Sequence, residues 1–180
     1  MMLVICAPEK YDLAPIKDNM EKHFAVIRRA PQTPDPFVLN ALAMRDRNAG
    51  KASDLHHARD AAEVVGGRRD EHRNQINWIR DAVVSVGTVD FGNGDGKVMQ
   101  AAFAVPPRCG FGTASFYIDN LESANKIAEF AFDGVNFSTR DWNTFAIRQT
   151  ELLCKVQGSH RVFIKLEGNS FCNLQSWQIK

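Results

Sequence analysis

The chain lacks any long hydrophobic run. Its longest uninterrupted apolar stretch, Met1–Ala7, is far shorter than the roughly 20 residues that cross a bilayer as a helix. We therefore expect no membrane partner. The same stretch has no basic leading region and is followed by Pro8, Glu9 and Lys10, so no signal peptide is visible. On this pattern alone, the protein either stays inside the cell or is a piece cut from a longer chain.

An excess of charge of either sign is also missing. The 22 Lys and Arg residues nearly balance the 21 Asp and Glu residues, which leaves a net charge of +1. Nucleic-acid binding depends on dense basic surfaces. The nearest approach to one, Arg68–Arg69 with Arg73, is interrupted by Asp70 and Glu71. We interpret this segment as a solvated loop and expect no nucleic-acid partner.

Cysteines are few and widely spaced. The four, Cys6, Cys109, Cys154 and Cys172, contain no C-x-x-C pair, which argues against a zinc site. We expect buried free thiols. A bridge such as Cys109 to Cys172 stays open, because connectivity does not follow from sequence.

The first 52 residues differ in texture from the rest. Apolar residues spaced by three and four over Asp18–Ala30 predict a helix, with Asp18 as a plausible N-cap. Three prolines then interrupt the pattern. Phe37–Met44 favours a second short helix, and the polar Arg45–Ser53 is interpreted as a linker. We therefore predict a partly helical segment of unknown role over 1–52 and a separate module over 53–180.

The module is predicted to be all-β. From Ile76 onwards, short runs of valine, isoleucine and phenylalanine alternate with turn dipeptides at intervals of about 8–12 residues, as in a β-sandwich or jelly roll. Residues 54–65 are ambiguous between a helix and a strand. Candidate strands lie at 83–89, Val98–Val105, 116–118, Lys126–Phe132, Thr144–Gln149, Leu152–Val156, Val162–Leu166 and Leu174–Ile179.

No catalytic constellation stands out. The glycine-rich Gly92–Gly96 lacks phosphate-loop spacing and is interpreted as a connection between strands. His56 and His57 are adjacent and do not form a metal-binding helix motif, and His160 is interpreted as a hydrogen-bonded structural residue. No pair of carboxylates is selected by spacing. We expect a protein that is not an enzyme.

Two tryptophans lie in polar stretches. Trp78 follows Asn74–Asn77, and Trp142 lies within Ser138–Asn143. A large ring in such a setting is either folded onto the core or displayed for a ligand, and sugars offer apolar C–H faces to aromatic planes. Trp177 alternates with Ile179, which favours packing in the core.

Several segments from about residue 54 onwards resemble, in order, the motifs of the family 6 carbohydrate-binding modules. Gly158-Ser159-His160 is similar to the Gly-x-His motif of that family, and Phe171–Trp177 lies where its last, Asn-bearing strand is found. Ser138–Phe145 is similar to its S-T-G-G-W-x-x-W/F loop. The other similar segments are His57–Asp60, Asn77–Ile79, Val89–Gly92 and Tyr117–Glu122.

The resemblance implies a galactose-binding-like β-sandwich jelly roll that binds polysaccharide without catalysis, beside a glycoside hydrolase and outside the cell. In that family, two aromatic rings sandwich a sugar and an Asn fixes it. By position these residues are Trp78, Trp142 and Asn173. We therefore expect a neutral polysaccharide or oligosaccharide as the ligand.

Two departures from the family pattern carry further expectations. The acidic residues of the family's structural calcium site correspond to His57 and Gln175, so we expect that site to be lost or weakened and no cofactor to be needed. Arg140-Asp141 replaces two glycines before Trp142, which either crowds the cleft or adds polar contacts. Two other hypotheses stay open: a protein-interaction or structural jelly roll that has lost sugar binding, and a hydrolase fragment.

Overall fold

The protein is represented by a computed structural model, which describes residues 48–107, 111–133, 137–169 and 172–180. The predicted helices over Asp18–Ala30 and Phe37–Met44 lie outside the described residues, as do Cys6 and Cys109. No helix among the described residues has the length and apolar character that a bilayer crossing demands.

The described residues are almost entirely β, as predicted, and two single 3-10 turns lie at Ala58–Asp60 and Ser123–Asn125. The strands are β1 (Asn48–Lys51), β2 (His56–His57), β3 (Glu63–Asp70), β4 (Gln75–Asp90), β5 (Val98–Ala104), β6 (Phe111–Ile118), β7 (Lys126–Asp133), β8 (Ala146–Glu151), β9 (Ser159–Asn169) and β10 (Cys172–Ile179).

The long strand β4 belongs to both layers of the sandwich. Near its start, Ile76–Trp78 pairs with β10, and further along Ala82–Asp90 pairs with β9. The strand order is β7-β6-β9-β4-β10-β5-β8, with β1 and β3 also paired to β4 and β2 paired to β10. One layer is therefore β4-β10-β5-β8 and the other is β4-β9-β6-β7.

Aromatic rings from the two layers meet in the core. Phe103 of β5 packs edge-on against Phe130 and Phe132 of β7, with ring centroids 5.3 and 4.8 Å apart. Trp177 of β10, only 2% exposed, meets Phe116 of β6 at 5.6 Å. Each such pair contributes about 0.5–1.5 kcal/mol beyond the burial of its area. The all-β sandwich and the placement of Trp177 in the core are confirmed.

The two strands at the ends of the strand order, β7 and β8, are bridged by a side chain. Arg148 of β8 donates from Nη1 to the carbonyl oxygen of Ala131 in β7 at 3.1 Å. Its guanidinium carbon lies 4.7 Å from the ring centroid of Phe137. Strand edges are open to further pairing, and this contact links the two strands at the ends of the order.

The N-terminal part of the module differs from the sequence interpretation. Asn48–Lys51, assigned to a linker, forms β1 and pairs in parallel with Thr88–Asp90 of β4. The helix alternative for 54–65 is wrong, because this stretch contains β2, a 3-10 turn and the start of β3. The Arg68–Arg69 pair lies at the end of β3 rather than in a loop, and Arg69 Nη2 donates to the carbonyl oxygen of Ala61 at 2.6 Å.

Leu152–Val156 is not a strand. The N–H of Leu152 donates to the carbonyl oxygen of Lys97, and that of Leu153 donates to the carbonyl oxygen of Ile127, so successive residues bond to different parts of the sandwich.

Gly92–Gly96 connects β4 to β5, as predicted. Its glycines permit close packing: a Cβ on Gly94 would lie 2.4 Å from the carbonyl oxygen of Val156, and one on Gly96 would lie 2.4 Å from Ile179 Cγ2.

The two described cysteines are free thiols. Cys172 is buried, as expected, and burial raises the pKa of its thiol far above the ordinary value. The other residue of the suggested bridge, Cys109, lies outside the described residues. Cys154 is exposed rather than buried, since it lies in the irregular segment that replaces the predicted strand.

Candidate functional site

Trp142 is the tryptophan that reaches the surface. It lies in the loop that precedes β8, and 39% of its surface is exposed, against 1% for Trp78 and 2% for Trp177. Arg140, Asp141, Asn143 and Thr144 around it are also exposed. The loop therefore presents a large apolar ring within a polar surface.

The loop before Trp142 is tied to the end of β5 through Thr139. The N–H of Thr139 donates to the carbonyl oxygen of Val105 at 2.7 Å, and the N–H of Val105 donates to Thr139 Oγ1 at 2.8 Å. The same hydroxyl donates to the carbonyl oxygen of Asp141 at 3.1 Å. Thr139 is buried, so this reciprocal contact fixes where the loop leaves the sandwich.

The Asp141 carboxylate accepts hydrogen bonds from the two residues that follow Trp142. Its Oδ1 accepts from the N–H groups of Asn143 and Thr144, both at 2.8 Å, and from Thr144 Oγ1 at 3.0 Å. These bonds favour the charged form. They lower the pKa of Asp141, with the Asn143 N–H as the largest cause and the nearby Arg140 charge as a smaller one.

Asn173 lies directly beneath the loop. It is 5% exposed and sits in β10 between Asn77 of β4 and Ala104 of β5. Its Nδ2 donates to the carbonyl oxygen of Trp142 at 2.8 Å. The structure therefore brings Asn173 and Trp142 together, through the backbone of the tryptophan rather than its ring.

Comparison by sequence matches no protein-family model and no curated protein. Comparison by structure does find matches. A family 6 carbohydrate-binding module from Clostridium cellulolyticum, in complex with xylose, has a TM-score of 0.59 and 19% identity, over 74% of this chain and 99% of that one. Module CBM6cm-2 of Cellvibrio mixtus lichenase 5A, in complex with cellotriose, has a TM-score of 0.57 and 17% identity, over 71% of this chain and 96% of that one.

The chain has the fold of the family 6 carbohydrate-binding modules. The same fold also matches part of an enzyme, a glycoside hydrolase family 43 arabinoxylan arabinofuranohydrolase from Bacillus subtilis. There the TM-score is 0.55 at 18% identity, over 75% of this chain and 28% of that one. The likeness therefore covers just over a quarter of that enzyme.

Trp78 is not placed like a second sugar platform of such a module. Its side chain is buried in β4 beside Gly67 and Cys172, and its ring meets Phe132 edge-on at 6.0 Å. Its Nε1 is buried and has no hydrogen-bond partner among the residues that the structure describes. The alternation of the apolar Ile76 and Trp78 around the polar Asn77 is the sequence signal that could have predicted an inward-facing ring.

The residues at the family's calcium positions do not fit a hard cation. His57 Nδ1 lies 2.8 Å from the side-chain amide of Asn74 and is engaged with it. Gln175 lies where the register of β10 shifts, between Leu174 and Ser176. Calcium prefers carboxylate and other oxygen ligands. Among the residues that the structure describes, no group of three or more His, Cys, Asp or Glu side chains could hold a metal ion.

His160 has the structural role expected of it. Its Nδ1 lies 2.8 Å from Asp119 Oδ2 and its Nε2 lies 2.9 Å from the carbonyl oxygen of Gln157. These contacts join the loop after β6 to the start of β9.

The sequence does not predict that Thr139 anchors the loop, because a threonine before a turn gives no signal of a partner that lies 34 positions away.

Proposed function

We propose that the protein is a non-catalytic carbohydrate-binding module. The observation that carries this proposal is the exposed indole of Trp142 on a loop held by Thr139, Asp141 and Asn173. An indole face stacks on the apolar C–H face of a sugar ring. The shared fold supports the proposal, since solved modules of this fold carry xylose and cellotriose.

The proposed ligand is a neutral polysaccharide or oligosaccharide. The chain has a net charge of +1, so it offers no strong field for an acidic or basic polymer. Sugar hydroxyls need polar partners, and an amide group has two N–H donors and an oxygen acceptor. The exposed amide of Asn143 lies beside the indole and can bind a hydroxyl, while the buried Asn173 holds the Trp142 backbone from below.

One exposed ring is expected to give modest affinity. Trp78 is excluded from the proposed contact surface because it is 1% exposed. A single platform recovers less free energy than a ring on each side of the sugar, against the same ordering cost. We propose that the protein acts beside a glycoside hydrolase and outside the cell, as the match to part of the Bacillus subtilis hydrolase suggests.

A second candidate function is a jelly roll that binds protein and has lost sugar binding. The burial of Trp78 favours it, because the predicted pair of platforms is reduced to one. In that case Trp142 would serve as an aromatic anchor in a protein interface, a role in which tryptophan is enriched.

The experiment is a glycan panel of xylan, β-glucan and agar-type polymers, measured by affinity electrophoresis and calorimetry. Trp142→Ala is the test variant. Leu153→Ala is the matched control, because Leu153 is a 62% exposed apolar residue beyond the other end of β8. We expect binding that Trp142→Ala abolishes and Leu153→Ala preserves. Absence of binding by the parent, or equal binding by Trp142→Ala, would overturn the proposal.

A further inference from the structure

The Trp142 loop departs from the family pattern at the residue before the tryptophan. Where the similar loop has glycine, this chain has Asp141. Asp141 is exposed, and its carboxylate points back to the loop, where it accepts three hydrogen bonds through one oxygen. The expectation that this residue crowds the cleft or adds polar contacts is therefore sharpened: its observed contacts lie within the loop.

Trp142 is held from both sides along the chain. Before it, Thr139 fixes the loop to Val105 at the end of β5. Below it, Asn173 binds its carbonyl oxygen at 2.8 Å. After it, Asn143 and Thr144 bond to the Asp141 carboxylate at 2.8 Å. The carboxylate thereby links the residue on one side of the tryptophan to the two residues on the other.

A loop that is ordered before the ligand arrives costs less free energy to order upon binding. Immobilising a flexible side chain or loop on association costs conformational entropy, and a rigid platform avoids part of that cost. This saving in entropy matters most where the protein makes few contacts with its ligand. The proposed site, with one exposed aromatic ring, is such a case.

We propose that Asp141 is a positioning residue that holds the Trp142 ring in its sugar-binding orientation in the free protein. The role of Trp142 rests on the proposed carbohydrate binding, and Asp141 acts through the loop rather than through contact with the sugar. The charged carboxylate is suited to the task because hydrogen bonds to an ionised acceptor are roughly twice as strong as neutral ones.

The test compares Asp141→Ala, which removes all three bonds, with Asp141→Asn, which keeps one oxygen acceptor. Asp70→Ala is the matched control, because Asp70 Oδ1 accepts from the N–H of Arg73 at 3.1 Å in the turn after β3. Affinity for the best glycan of the panel is measured by calorimetry. Mobility of Trp142 in the free protein is measured by fluorescence anisotropy and acrylamide quenching, with Trp142→Phe to subtract the two buried tryptophans.

We expect Asp141→Ala to weaken binding about three- to tenfold, a loss of up to about 1.4 kcal/mol, and to raise both mobility and quenching of Trp142. Asp141→Asn should be intermediate, and Asp70→Ala should match the parent. Unchanged fluorescence and affinity in Asp141→Ala would overturn the proposal while leaving Trp142 as the platform. If the parent binds no glycan, the proposed function fails, and the fluorescence of the free protein still decides whether Asp141 holds Trp142.

Discussion

The imidazole of His56 lies stacked on the indole of Trp177, with ring centroids 4.1 Å apart and planes inclined by 14°. His56 Nε2 lies 2.8 Å from the carbonyl oxygen of Lys51 and donates to it. The pair joins the short strand β2 to the last strand at the edge of the aromatic core. The neutral form of the His56 imidazole suits this apolar contact with Trp177.

We expect the stability of the module to depend on pH through His56. Burial, the largest effect, lowers the pKa of His56 below its ordinary value of 6.5; neighbouring His57 acts in the same direction, while the Lys51 carbonyl and the Asp54 carboxylate oppose it. A lowered pKa means that the unfolded chain binds the proton more readily. The contribution of the neutral His56 to the free energy of unfolding is therefore fully present above about pH 6.5. It is lost as the pH falls through the pKa of His56 in the folded protein.

We expect the free energy of unfolding, measured in urea, to decrease between pH 7 and pH 5. His56→Phe, which keeps a ring on Trp177, should reduce this slope. His72→Phe, in the exposed turn after β3, is the control and should keep it. Equal slopes in the parent and His56→Phe would contradict the assignment.

Trp78 and Trp142 should separate stability from binding. Trp78→Phe removes part of a ring that is 1% exposed and should lower the free energy of unfolding by about 1–3 kcal/mol while leaving glycan affinity within twofold. Trp142→Ala should abolish glycan binding while leaving the free energy of unfolding nearly unchanged. Urea denaturation and calorimetry on both variants check this. A large loss of affinity in Trp78→Phe, with its stability intact, would show that Trp78 contacts the sugar.

We expect no stabilisation by calcium. The imidazole of His57 contacts Asn74, and a hard cation prefers oxygen ligands to an imidazole nitrogen. The midpoint of thermal unfolding should therefore be equal in excess calcium and in EDTA, since only an ion that binds the folded state shifts it. A higher midpoint in calcium would point first to Asn74 Oδ1, a buried oxygen beside His57 without a hydrogen-bond partner.

Gly66 should tolerate a side chain less well than Gly92. Both have positive φ, 75° and 57°, so alanine strains the backbone at either position. A Cβ on Gly66 would also lie 2.4 Å from the carbonyl oxygen of Asp81, whereas one on Gly92 meets nothing within 4 Å. We expect Gly92→Ala to cost about 1 kcal/mol and Gly66→Ala clearly more, in urea denaturation. Equal costs would show that the sheet adjusts around Gly66.

Arg148 should protect the edge formed by β7 and β8. Arg148→Ala leaves the carbonyl oxygen of Ala131 without its donor and removes the cation from the Phe137 ring. We expect a loss of about 1–2 kcal/mol in the free energy of unfolding and faster aggregation on warming, followed by light scattering. Gln149→Ala, at the exposed neighbouring position of β8, is the control and should behave like the parent.

The sequence predicts the class of fold better than the placement of individual side chains. Alternating residues and turn dipeptides identify the strands after Ile76, because they record which face of a strand is buried. They do not identify β1, whose sequence Asn-Ala-Gly-Lys has little strand propensity and is held by its pairing with β4. The predicted strand at Leu152–Val156 is wrong for the opposite reason, since Leu152 and Val156 pack on the core without pairing along one strand.

The candidate site shows the same limit. Trp142 could be selected from its polar surroundings, but its link to Asn173 joins residues 31 positions apart and depends on how β10 lies beneath the loop. Local sequence carries no record of such a contact. Asp141 is visible in the sequence as a departure from the family pattern, but the role proposed for it rests on the direction of its carboxylate, which the sequence does not give.

The sharing of β4 between both layers has a consequence for how the chain folds. Its 16 residues bond to β10 near one end and to β9 along the other, so neither layer can release this strand without disrupting its neighbour. The module should therefore lose structure in one cooperative transition rather than layer by layer. Because β9 and β10 lie some 70 to 100 positions away in sequence from the residues of β4 that they pair with, these pairings close long loops, and folding is expected to be slow.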